Sequence, residues 1–118
     1  MKMILFPLLL VPALVLGASV ISSFDAPDTG ITSLDWDGTN LWAVDGTTQY
    51  VYQLDPSNGD VLSSFLIVDQ IAGQNPVPGG LAINGGTLFT AMYAGTAYGE
   101  IYKYDSGGSF QGAFDMYC

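Results

Sequence analysis

The chain has 118 residues, 49% of them hydrophobic and only 11% charged, with 15 glycines. Eleven acidic residues stand against two lysines, Lys2 and Lys103, with no histidine and no arginine, so the formal charge is −9. That excludes a nucleic-acid binder, which needs a Lys/Arg footprint, and it removes the usual neutral-pH general base, the commonest zinc ligand and the arginine phosphate clamp.

The N-terminus reads as a leader. Met1-Lys2-Met3 is a short positive start, residues 4–16 are an apolar run broken only by Pro7 and Pro12, and Gly17-Ala18-Ser19 are small. This is the order of a secretory signal peptide, expected over residues 1–18, and the run is too short and too proline-broken for a membrane span. Cleavage after Ala18 leaves 100 residues with Lys103 as their only base, a formal charge of −10. The expected location is therefore secreted or cell-surface, extracellular or periplasmic. The single cysteine, Cys118, reads as an intermolecular bridge, a reactive thiol, or a terminal thiol without a role.

After the leader, residues 19–30 open with Ile21-Ser22-Ser23-Phe24, which returns later as Leu62-Ser63-Ser64-Phe65. Aromatic and β-branched runs then predict strands over Ile31–Trp36, Leu41–Asp45, Tyr50–Leu54 and 61–68. Asp37-Gly38-Thr39-Asn40 and Asp55-Pro56-Ser57-Asn58-Gly59 supply the hairpin turns, because glycine accepts positive φ. Residues 69–79 read as a loop. The cycle then repeats over residues 80–118, with turns at Asn84-Gly85-Gly86 and Ser106-Gly107-Gly108. No helical period appears.

The two cycles superpose in sequence. Leu34, Trp36, Leu41 and Trp42 meet Leu81, Ile83, Leu88 and Phe89 at an offset of 47, and Val51-Tyr52-Gln53-Leu54-Asp55 meets Ile101-Tyr102-Lys103-Tyr104-Asp105 at an offset of 50. Four strands per repeat of roughly 45 residues is the β-propeller pattern. A four-stranded blade cannot bury both faces alone, so Trp36, Trp42, Tyr52, Phe89 and Tyr102 are expected between stacked blades rather than on a sugar-binding surface. The expected fold class is all-β: propeller blades over residues 31–68 and 80–118, with residues 19–30 as the outer strand of a preceding or closing blade.

Trp36-Asp37-Gly38-Thr39-Asn40-Leu41-Trp42-Ala43-Val44-Asp45, followed by Val51-Tyr52-Gln53-Leu54-Asp55-Pro56 and Ser63-Ser64-Phe65, resembles the repeats of secreted bacterial β-propellers of the NHL-like and streptogramin-lyase-like groups. The resemblance covers about residues 20–115. It implies propeller architecture, a fold that hosts lyases, binding proteins and surface proteins alike. The lyases depend on histidine and a metal, and this chain has no histidine, so their catalysis does not carry over. Propellers close with four to eight blades, and two blades plus a spare strand read as part of a longer ring. The alternative is a lectin-like subunit whose copies complete the ring and bind carbohydrate; a truncated lyase-like enzyme without its catalytic residues is a third.

The expected function is a non-enzymatic binding or interaction scaffold. Its partners would be missing blades or copies of itself, and carbohydrate or another surface protein. Two irregular segments, residues 67–78 and 92–99, fall in loops that open on one propeller face, where Asp45, Gln74, Asn75 and Tyr93 are the candidate binding residues. No catalytic residue is expected: Glu100 is the lone glutamate, without an evident second acid, and Cys118 has no histidine partner. No cofactor is expected, since Asp35-Trp36-Asp37-Gly38 lacks the further ligands of a calcium loop. Asp25, Asp28 and Asp45 near strand ends are the one set open to weak Ca²⁺ binding.

Overall fold

The computed structural model describes residues 17–67, 76–95 and 98–116. Most of the expected leader, residues 69–75 of the expected loop over residues 69–79, and Cys118 lie outside the described residues. Eight strands follow in chain order: β1 (Ile31–Trp36), β2 (Leu41–Asp45), β3 (Tyr50–Leu54), β4 (Val61–Leu66), β5 (Val77–Asn84), β6 (Thr87–Ala94), β7 (Tyr98–Asp105) and β8 (Phe110–Met116). They form two four-stranded antiparallel meanders, β1-β2-β3-β4 and β5-β6-β7-β8, with no helix among the described residues and no closed barrel or ring.

Carboxylates set the turns. Asp37 Oδ1 accepts from the backbone N–H of Thr39 and of Asn40, both at 2.7 Å, and Oδ2 accepts from the Trp42 indole N–H at 2.7 Å. Asp55 accepts from Ser57 N at 2.8 Å, and Asp105 from Gly107 N at 3.0 Å and Ser109 N at 2.9 Å. The β5–β6 hairpin instead uses Gly85 and Gly86 at φ 56 and 82, a two-residue left-handed turn that glycine adopts without strain.

The repeat extends to register. Ser33↔Val44, Val44↔Val51 and Val51↔Phe65 in the first sheet match Gly80↔Ala91, Ala91↔Ile101 and Ile101↔Phe114 in the second. Even the irregularities coincide: Ile31/Ser33 with Pro78/Gly80, and Gln53/Leu54 with Lys103/Tyr104.

The sheets stack face to face, joined most closely along β1, β2 and β5. Trp42, Val44 and Val51 from one sheet meet Leu81, Leu88, Met92, Tyr102 and Tyr104 from the other, with Ile67 and the partly buried Phe65 and Ile83. Burying each such large side chain contributes about 1.5–3 kcal/mol. Two polar anchors hold the inner edge: Leu81 N donates to Ser33 Oγ at 3.2 Å, and Ile83 N to Asp35 Oδ2 at 2.6 Å. At the outer edge the Phe65 and Tyr104 rings lie 5.3 Å apart. Phe65 also lies over Gly108, at φ 87, where a Cβ would stand 2.5 Å from its ring.

Several expectations are corrected. Residues 17–26 carry no strand; the expected outer strand belongs to a preceding or closing blade, and β3 and β7, the third strands of the two sheets, are already paired on both sides. The second sheet starts at Val77 rather than at residue 80. Residues 92–99 are largely strand: β6 continues to Ala94 because Leu88, Thr90, Met92 and Ala94 keep alternating into the core, and β7 begins at Tyr98. Of the five aromatics expected between sheets, Trp42 and Tyr102 are buried there, Tyr52 and Phe89 are half-buried, and Trp36 is exposed.

The Tyr104 hydroxyl is buried and has no hydrogen-bond partner among the described residues. Burial also pushes its pKa up. Tyr104→Phe keeps the ring contacts and removes an unsatisfied group, so urea unfolding should show a gain of about 1 kcal/mol. A loss of stability would mean the hydroxyl is bonded.

Candidate binding site

One end of the stacked sheets gathers the turn between β2 and β3, the start of β5 and the far end of β6. Asp45 closes β2 there and is fully buried. Its carboxylate accepts from Gly30 N at 3.0 Å and from Thr47 N and Thr48 N, both at 2.7 Å. Burial raises the pKa of this carboxyl, but the N–H groups of Thr48, Thr47 and Gly30 outweigh it and the net displacement is downward. Asp45 is thus engaged in holding the turn. A side chain on Gly30 would collide with the same carboxylate, at 2.6 Å.

Gln49 is the residue that sequence reasoning missed. It sits at φ 66, the only non-glycine at positive φ among the described residues. Its carbonyl accepts from Ile67 N at 2.9 Å, and its side-chain amide donates to the Pro76 carbonyl at 3.0 Å. One residue therefore grips both ends of the connection between the sheets. Polar, strained and without a motif, it left no signal in the sequence beyond its place in a turn.

Tyr93 stands near the same end on β6, where it pairs with Val77. It is half-exposed, and its ring covers Gly79, where a Cβ would meet Cε2 at 2.5 Å. Gly46, next to Asp45, approaches the Pro78 carbonyl, which a Cβ would meet at 3.1 Å. The structure thus brings the Asp45 turn and the β5 start under Tyr93 to one end. Gln74 and Asn75 lie outside the described residues.

Asp28, Asp35 and Asp37 are engaged in turns or between sheets. Asp28 accepts from Thr29 N at 2.7 Å and lies 3.4 Å from both the Thr48 and the Tyr52 hydroxyls. Asp35 is divided between Trp36 N and the second sheet. The Asn40 N–H, then the Trp42 indole, draw the Asp37 carboxyl below its ordinary range. Among the described residues, no group of three or more acidic, histidine or cysteine side chains is placed to hold a metal. Glu100 faces Asp115 across β7 and β8, a pairing that only register reveals.

A separate open cleft of about 660 Å³ lies between residues 23–27 and 58–61, lined by Phe24, Asp25, Asn58, Asp60 and Val61 among others. Neither Asp45 nor Tyr93 lines it. No protein-family model matches the chain, and a search of curated proteins returns no relative.

Because the Asp37, Asp45 and Asp55 pKa values are depressed in the fold, their stabilisation is complete above the unfolded carboxylate range and is lost as pH falls through the lower folded values. Thermal midpoints should be level above about pH 5 and drop below about pH 4. Asp45→Asn should cost about 1–2 kcal/mol at neutral pH and flatten that acid slope. Gln49→Ala should cost about 1 kcal/mol in urea unfolding and speed hydrogen exchange at the Ile67 amide. Gln49→Gly should cost less, since glycine accepts the same φ.

Proposed function

We propose that the chain is a pair of β-propeller blades belonging to an exported, non-enzymatic binding scaffold. The observation that carries this is the repeated register: two meanders matched strand for strand and bulge for bulge, stacked with their first strands adjacent. That is how propeller blades pack, and two blades are part of a ring that needs four to eight. Export rests on the leader-like start.

The binding face is the end where the Asp45–Gln49 turn, the start of β5 and Tyr93 meet. It is shaped by Gln49, and the Asp45 carboxylate is engaged by its own turn. Such a surface offers shape and an aromatic contact to a ligand. The half-exposed Tyr93 ring, packed against Gly79, favours carbohydrate as the ligand class, because an aromatic ring offers an apolar platform with a polar edge.

A glycan array on the chain, followed by Tyr93→Ala, tests this. Binding should fall at least tenfold, or about 1.4 kcal/mol, while the unfolding free energy changes by no more than about 0.5 kcal/mol, as for an exposed substitution. Glycan binding untouched by the substitution, or mapped to the cleft beside Phe24, would overturn the assignment.

A further inference from the structure

We infer that the two outer faces of the stacked sheets are the complementary halves of a second interface, and that copies of this chain join through them head to tail. The inference rests on the blade reading above and names the partner that completes the ring.

The register defines the two faces. The face of the second sheet that is buried against the first carries Leu81, Ile83, Leu88, Tyr102 and Tyr104. Its counterpart on the first sheet is the outer face, with Leu34, Trp36, Leu41, Tyr52 and Leu54 in the same places. Leu81 is 9% exposed, whereas Leu34 is 56% and Trp36 50% exposed; Leu54 is already buried and Leu41 and Tyr52 partly so, which makes Leu34 and Trp36 the open part of this face. Conversely, the inner face of the first sheet, with Ser33, Asp35, Trp42, Val51 and Phe65, corresponds to the outer face of the second, with Gly80, Ala82, Phe89, Ile101 and Phe114. Phe114 is 50% exposed. The molecule thus presents both halves of its own internal contact, one on each side. A heterologous pair of this kind generates rings when the rotation closes.

Size favours a second copy as the occupant. Inside the chain, Asp35 and Ser33 face the β5 edge at Ile83 and Leu81. In the copy-to-copy contact the larger Trp36 takes the place of Ile83, and the smaller Ala82 and Gly80 take the places of Asp35 and Ser33. The added bulk on one face is matched by removed bulk on the other. Lys103 is exposed beside Phe89 on the outer face of the second sheet, and Asp25 and Asp60 line the cleft that holds Phe24.

Phe24 supplies the last part. It lies over Gly59 as Phe65 lies over Gly108, so a Cβ on either glycine would strike the ring. Gly59 and Gly108 occupy equivalent turns at φ 79 and 87, and Phe114 is the repeat equivalent of Phe65. In the lone chain Phe24 therefore fills the place that Phe114 of an incoming copy takes.

Sedimentation of the leaderless chain over a range of concentrations tests this. The expected result is a discrete species of two to four copies, giving four to eight blades. Trp36→Asp and Phe114→Asp each disable one face and should stop growth, yet the two variants mixed should form a one-to-one dimer through their remaining faces. Phe24→Ser should strengthen assembly. A monomer at every concentration overturns the inference, as do variants that fail to pair, or weaker assembly in Phe24→Ser. NMR contacts between the Phe65 and Tyr104 rings separate the two failures. A monomer that retains them overturns only the self-assembly, and one that lacks them overturns the blade reading as well.

Discussion

A four-stranded meander with apolar side chains on both faces must be covered twice, and this constraint governs the molecule. Within the chain it is met once. Trp42, Val44 and Val51 close against Leu81, Leu88, Met92 and Tyr102, and that contact fixes how the two sheets lie. The other two faces keep Leu34, Trp36, Tyr93 and Phe114 half in water. The uncovered faces carry residues equivalent to the covered ones, displaced by one repeat.

Acidic composition has a local explanation. Asp37, Asp45, Asp55 and Asp105 each cap a turn by accepting backbone N–H groups, and Asp35 reaches across to the second sheet. A carboxylate serves well there, because it accepts several donors at once and is ionised at neutral pH. The same engagement explains why so many carboxylates make no cation site among the described residues: the oxygens are already occupied by N–H groups that a metal would have to displace.

The candidate site follows from the way the sheets are joined. Gln49 holds Ile67 and Pro76 from one strained position, and the turn it belongs to is held by Asp45. Tyr93 is left on a rigid strand instead of a loop. The end of the molecule is therefore organised by backbone tethers, and its chemical character comes from one exposed ring.

Strand positions were legible in the sequence because period-two patterning and Asp-Gly or Asn-Gly turns are local: β1, β2 and β3 fall where those signals put them, as does the duplication. Segments that depend on a neighbour were not legible. Ile21–Phe24 has a strand's composition and no strand to pair with, and residues 92–94 looked irregular until the alternating burial of β6 extended through them. Gln49 as a clamp, Glu100 opposite Asp115, and Phe24 in the place of Phe65 are relations between distant residues, set by register and stacking. Sequence by itself determined the repeated unit, the strands of its first three runs and its lack of histidine chemistry, because these reside in composition and short-range pattern. Only tertiary structure decided which of the two apolar faces is buried, because that depends on which neighbour is present to cover it.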